Sequence, residues 1–220
     1  MKNVFKFVAL LLAFCFVNFS AQQKPDFYDD VQHLKKINAE STLPKDAILF
    51  LGSSSFTMWK DVANYFPDKT IINRAFGGSR LADLNYYTEE LLNPYQAKQV
   101  VIYCGENDVV YKDKPSAKEV FNRFKQFYTS VRKHFPNANI AYVSIKYSPS
   151  REQFWPIMKK ANKKIKCFLQ WKKNANFIEI NNAMKDENGN VRKDIFVEDM
   201  LHLNSDGYKI WTKVMYPYLK

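Results

Sequence analysis

The stretch Ala47-Ile48-Leu49-Phe50-Leu51-Gly52-Ser53-Ser54-Ser55-Phe56 decides how the rest of the chain is read. Five apolar residues, too few for a helix of their own, stop at a glycine and three hydroxyl side chains. That pattern predicts a buried parallel strand running into a turn and a helix, and the crevice beyond the carboxyl ends of parallel strands is where such sheets hold ligands. The serines have a second reading. A serine after a strand also serves as a helix N-cap, its oxygen taking a hydrogen bond from a free first-turn amide.

Working outward, the alternation of strand and helix repeats. Strands are expected at Thr70–Asn73, Gln99–Cys104, Asn139–Ile145 and Asn176–Ile180. Helices are expected over Leu81–Leu92, closed by Pro94, then about Ser116–His134, Glu152 to about Lys172, and Ser205 to about Tyr218, capped by Ser205. Val120, Phe124, Phe127, Tyr128 and Val131 recur at helical spacing and read as a core stripe. Phe56–Phe66 reads as a short helix or loop, with Met58 and Trp59 as its apolar residues. Gln22–Lys45 reads as a partly helical outer segment touching the domain through Leu34 and Ile37, with His33 structural. Five strands separated by helices imply right-handed crossovers and an α/β fold, a three-layer sandwich with a mostly parallel five-stranded sheet.

At 220 residues and 46% apolar composition the chain suits one folded domain and is not a disordered protein. Residues 1–21 differ from the rest. Lys2 and Lys6 precede the apolar run Phe7–Val17, and the small pair Ser20-Ala21 follows, the layout of a secretory signal peptide. The expected organisation is therefore a signal peptide over 1–21 and one domain over 22–220, in a secreted or periplasmic protein with no stable membrane insertion after cleavage.

The net charge of +11 falls to +9 without Lys2 and Lys6, a surplus suited to anionic lipid, acidic glycan or nucleic acid. Its densest group, from Lys159 to Lys173, fits the solvated face of a helix. No interleaving of basic and exposed aromatic residues marks a nucleic-acid partner. Cys104 and Cys167 remain after cleavage, either bridged or as buried free thiols. No metal-ligand spacing is present, so no metal is expected.

Chemistry concentrates at four places: Gly52-Ser53-Ser54, Asn73 to Gly78, Gly105-Glu106-Asn107-Asp108, and Asp199-Met200-Leu201-His202. A serine hydroxyl attacks an acyl carbon only with a base to take its proton and a group to orient that base. Asp199 and His202 are spaced to supply both. Gly78, Asn107 and the amide of Ser54 are candidate donors to an oxyanion.

Together the four blocks resemble those of the SGNH, or GDSL-type, hydrolases. They match at Phe50-Leu51-Gly52-Ser53-Ser54-Ser55, Asn73-Arg74-Ala75-Phe76-Gly77-Gly78-Ser79, Gly105-Glu106-Asn107-Asp108 and Asp199-Met200-Leu201-His202-Leu203-Asn204. Ser144-Ile145-Lys146 and Leu203-Asn204-x-x-Gly207-Tyr208 are most similar to the branch near the catalytic subunits of platelet-activating-factor acetylhydrolase. The resemblance implies a flavodoxin-like sheet. It makes Ser54 the nucleophile, His202 the base, Asp199 its partner, and Ser54, Gly78 and Asn107 the oxyanion hole. It also implies cofactor-free cleavage of carboxylic esters, short-chain or acetyl, on glycans or lipids. A non-catalytic glycan-binding module on the same fold is the alternative. Two positions depart from the pattern: Ser53 stands where the name-giving aspartate is frequent, and Ala75 where a glycine is.

Overall fold

The computed structural model describes residues 24–220, so the expected signal peptide over 1–21 lies outside the described residues. Five strands form one parallel sheet: β1 (Ala47–Gly52), β2 (Ile71–Asn73), β3 (Ala97–Tyr103), β4 (Asn139–Val143) and β5 (Ala175–Ile178), in the order β2-β1-β3-β4-β5. This is the flavodoxin-like order, and it puts the reversal of winding between β1 and β3.

The strands are apolar without alternation because both faces are covered. Every residue of β1 is buried, and its neighbours in sequence point to opposite faces. Leu49 and Leu51 join one core with Val100, Ile102 and Tyr142. Ile48 and Phe50 join a second core with Val101 and Tyr103.

The first core is closed by α1 (Tyr28–Ala39), α4 (Leu81–Tyr86), α5 (Thr88–Leu92), α6 (Ala117–His134) and α7 (Trp155–Leu169). The second is closed by α2 (Ser54–Thr57), α3 (Val62–Tyr65) and α8 (Ser205–Met215), with Trp59, Tyr208 and Trp211 at its centre. Trp59 stacks on Tyr208 at 4.7 Å between ring centroids. Sheet and helices thus make the three layers expected.

Several local expectations are corrected. The helix expected over Leu81–Leu92 is two helices broken at Tyr87, whose ring is buried and whose hydroxyl donates to the carbonyl of Asp26 (2.8 Å). Thr88 adds to the break by donating its hydroxyl back to the carbonyls of Leu84 and Asn85. The segment expected to be helical from Glu152 is 3-10 over Pro149–Phe154, and α7 starts at Trp155. Pro156 has no N–H and is tolerated only in a first turn, which sets that start. The last helix is capped by Asn204, not Ser205: the Asn204 side chain accepts from the amides of Asp206 and Gly207.

Val31 is the buried residue of α1, with Leu34 and Ile37 half-buried and His33 exposed. Of the pair Met58 and Trp59, only Trp59 enters the core, and Met58 is exposed. Both cysteines are free, and Cys167 is exposed rather than buried, since it falls on the polar side of α7 among lysines. Lys159, Lys160, Lys163, Lys164 and Lys166 are all exposed, as expected of a solvated face.

Candidate active site

The four sequence blocks converge at the carboxyl edge of the sheet. Ser54 opens α2 directly after β1, because Gly52 makes a turn that no side chain would permit. Gly52 has φ +141°, and a Cβ there would lie 1.9 Å from the carbonyl oxygen of Tyr103. The turn is then fixed from β3 and from the second block: Ser53 N donates to Tyr103 O (2.9 Å), and the Gly52 carbonyl accepts from Phe76 N and the Ser79 hydroxyl, both at 3.0 Å.

His202 and Asp199 reach this point from a loop held on several sides. Val197 N donates to His202 O, Asn204 N to Ile195 O, and Phe196 pairs with Leu203 in an isolated antiparallel bridge. Met200, between Asp199 and His202, takes the left-handed conformation at φ +53°. Its carbonyl accepts from Ser150 N at 3.0 Å, which ties the loop to the segment after β4.

The geometry of the three side chains is a continuous relay. Ser54 Oγ lies 2.9 Å from His202 Nε2, and His202 Nδ1 lies 2.6 Å from Asp199 Oδ2. An ionised carboxylate only accepts, so Nδ1 carries the proton toward Asp199 and Nε2 is left to accept from the serine hydroxyl. The other oxygen, Asp199 Oδ1, accepts from the amides of Leu201 (2.8 Å) and His202 (2.9 Å).

Partial burial works against ionisation of Asp199, but the His202 amide, the imidazole and the Leu201 amide outweigh it and bring the carboxyl down to about 2. The sign follows. A carboxylate lowered on folding stabilises the fold in full above its ordinary value of 3.8, and that contribution is lost as pH falls toward 2. A pH–rate profile should accordingly show no loss attributable to Asp199 above about pH 4. A titration of Asp199 observed by NMR in the neutral range would contradict this arrangement.

The groups expected to donate to an oxyanion are partly in place. Neither Ser54 N, at the first residue of α2, nor Gly78 N, in the loop after β2, has an acceptor among the described residues. Asn107 Nδ2 donates to Ser53 Oγ (2.8 Å) and to Ser79 O (3.2 Å). Ser53, at the frequent aspartate position, therefore does the local job of an acceptor and orients the Asn107 amide.

Three features of the site escaped the sequence reading. Glu106 and Lys146 form a buried ion pair beneath the loop of Asn107; Glu106 also accepts from the hydroxyls of Tyr103 (2.8 Å) and Ser148 (2.5 Å). Asp108, fully buried, accepts from Leu81 N (2.9 Å) and Arg123 Nη1 (3.0 Å), which fastens the same loop to α4 and α6. Phe27, in the left-handed conformation at φ +62°, packs edge-on against Phe76 with centroids 5.4 Å apart. A Cβ on Gly78 would meet the Phe27 ring at 3.5 Å, so the ring lies against the Gly78 loop.

Beside these donors is a cavity of about 220 Å³ walled by Phe27, Gly78, Arg80, Asn107, Val110 and Tyr111. Arg80 presents no free charge to it: the guanidinium pairs with Asp83 (2.5 Å) and Asp26 (3.2 Å) and lies 3.7 Å from the Tyr111 ring centre. Among the described residues no group of three or more His, Cys, Asp or Glu is placed to hold a metal ion, and no helix is long and apolar enough to cross a membrane.

The family model described as the GDSL-like lipase/acylhydrolase family matches residues 50–210, a span that contains all four blocks. The chain belongs to the GDSL-like lipase/acylhydrolase family. Solved structures agree on the fold of this acylhydrolase. A candidate platelet activating factor protein from Streptococcus pneumoniae superposes with a TM-score of 0.75 at 23% identity, covering 87% of this chain and 92% of that one. A candidate acylhydrolase from Bacteroides fragilis gives 0.75 at 18%, covering 89% and 97%. A GDSL-like lipase from Bacteroides thetaiotaomicron gives 0.72 at 16%, covering 86% and 96%. No curated protein sequence matches the chain. The GDSL-type acylhydrolase is thus a serine hydrolase acting on ester bonds, and its substrates are esters.

Proposed function

We propose that this acylhydrolase is an exported esterase that removes short acyl groups, acetyl above all, from a glycan or lipid alcohol through a Ser54 acyl-enzyme. The relay Ser54 Oγ to His202 Nε2 at 2.9 Å and His202 Nδ1 to Asp199 Oδ2 at 2.6 Å is the observation that carries it. In acylation Ser54 Oγ gives its proton to Nε2 and bonds to the ester carbon. The carbonyl oxygen takes the negative charge, stabilised by the Ser54 and Gly78 amides and by Asn107 Nδ2. The imidazolium then hands its proton to the leaving alkoxide as the ester C–O bond breaks. Water enters and loses a proton to Nε2 as it attacks the acyl carbon, and the imidazolium returns that proton to Ser54 Oγ as the acyl–serine bond breaks, releasing the acid.

The short acyl preference is supported by the 220 Å³ cavity beside Gly78 and Asn107, below the range of about 300–1,000 Å³ common for larger ligands. Export is supported by the basic start, the apolar run Phe7–Val17 and the pair Ser20-Ala21. The direct test is a fluorophosphonate probe followed by peptide mapping, with p-nitrophenyl acetate, butyrate and octanoate as substrates and fractionation of expressing cells. Label on Ser54, rates falling with chain length and a mature protein outside the cytoplasm are expected. A folded protein that neither takes the probe nor cleaves any of the three esters would sink the reading.

Phe27 sharpens the test. Its ring is the wall nearest Gly78, so Phe27→Ala should raise the octanoate-to-acetate ratio of kcat/KM by about tenfold. An unchanged ratio would mean that the acyl chain lies elsewhere.

A further inference from the structure

The surface holds a second, larger cavity of about 380 Å³ that the acyl-transfer steps leave unused. One wall is Tyr147 and Trp155, with ring centroids 5.9 Å apart and planes inclined at 42°. Trp155 is pinned, its Nε1 donating to Ser148 O at 3.0 Å, and Tyr147 N donates to Asn181 Oδ1 at 2.8 Å. The facing wall is the turn from Lys185 to Val191, closed by an antiparallel bridge between those two residues and by Asp186 Oδ1 accepting from the amides of Asn188 and Asn190. Both walls are therefore set before any ligand arrives.

The charges around this cavity are unbalanced. Lys159, Lys185 and Lys193 line it against the single carboxylate of Glu152, and none of the three ammonium groups has a carboxylate partner among the described residues. Lys159 Nζ sits 5.7 Å from the centre of the Tyr147 ring, which places positive charge at the aromatic wall itself. From the same segment as Trp155 comes Arg151, whose buried Nε also has no acceptor among the described residues.

Position links the cavity to the catalytic centre. Pro149, in its wall, lies between Ser148, which donates to Glu106 under the oxyanion loop, and Ser150, which donates to Met200 O in the loop of Asp199 and His202. Along the sheet the acyl cavity belongs to the loops after β2 and β3, whereas this one belongs to those after β4 and β5. The two cavities therefore lie toward opposite ends of the strand order β2-β1-β3-β4-β5.

The geometry points to a leaving-group subsite for an acidic saccharide: the sugar ring against Tyr147 and Trp155, its carboxylate or phosphate among Lys159, Lys185 and Lys193. A sugar supplies the hydroxyl that carries the ester, an apolar C–H face for the aromatic rings, and the negative charge that the lysines leave unmatched. This inference rests on the esterase reading above and names its substrate class.

The test compares an O-acetylated oligogalacturonate with an O-acetylated xylo-oligosaccharide of equal length. The acidic substrate should have the higher kcat/KM, and the advantage should shrink as salt rises from about 50 to 500 mM. Lys185→Ala combined with Lys193→Ala should cost about tenfold on the acidic substrate, through KM, and leave the neutral one and p-nitrophenyl acetate unchanged. Trp155→Ala should weaken both saccharides alike. Calorimetric titration of the Ser54→Ala protein with unacetylated trigalacturonate measures the subsite without turnover, and heats that vanish at high salt are expected. Equal rates on the two saccharides, or a lysine variant that slows both equally, overturn the subsite while leaving the esterase standing. Failure of the fluorophosphonate label instead overturns the esterase itself.

Discussion

Ser54→Ala will lower kcat on p-nitrophenyl acetate by about 10⁴- to 10⁶-fold, with circular dichroism and melting temperature close to those of the parent. Removing the hydroxyl deletes the attacking atom, yet Ser54 is only half-buried and, among the described residues, its Oγ makes no bond other than the one to His202. His202→Ala should cost a similar factor, and the double variant little more than either single one, because the two groups act as one unit. Asp199→Asn should be milder at about 10⁴-fold, since an amide can present an N–H to Nδ1 and favour the wrong tautomer. Single-turnover assays on the three variants check the ranking. Independent, multiplying losses for Ser54 and His202 would show that they do not share the step.

The buried pair Glu106–Lys146 should dominate stability. Lys146 is fully buried and Glu106 nearly so, and among the described residues their other hydrogen-bond partners are Tyr103 and Ser148. Burial pushes the Lys146 ammonium down from its ordinary value, against the pull of Glu106. Lys146→Met leaves the buried Glu106 carboxyl without its paired ammonium, and a loss of about 3–5 kcal/mol is expected. At 2–4 °C per kcal/mol for a domain of this size, this is a fall of about 6–20 °C in Tm. Glu106→Gln should be as costly alone, and the double variant Glu106→Gln/Lys146→Met should recover most of the loss. Thermal melts of the four proteins make the cycle. Strict additivity would mean that the two groups do not stabilise one another. Because Glu106 precedes Asn107, the single variants should also lower kcat more than they raise KM.

How much of this was legible in advance divides along a physical line. The strands announced themselves because burial on both faces demands unbroken apolar runs such as Ala47–Leu51, and Ser54 because it follows such a run directly, whereas Asp199 and His202, in the loop between β5 and α8, were legible only through their spacing. Ser54, Gly78, Asn107, Asp199 and His202 all meet at one edge. The break at Tyr87 was not readable, since it depends on a bond to Asp26, sixty-one positions away. Nor was the cap at Asn204: Asn and Ser are both good caps, and only the backbone before α8 chooses between them. Lys146 stood out only as part of the Ser144-Ile145-Lys146 resemblance, with nothing in the sequence to show that it is buried. What singled it out was a carboxylate forty residues earlier, brought beneath the same strand ends.

The wall formed by Phe27 has a consequence for kinship. It precedes the span that defines the family, residues 50–210, and is held there by the Tyr87 hydroxyl on Asp26 O and by Arg80 on the Asp26 carboxylate. Two acylhydrolases with the same four blocks can therefore part ways in chain-length selectivity through a leading segment that no block records. Exchanging residues 24–40 between such relatives, with every catalytic residue untouched, would transplant the preference along with the segment.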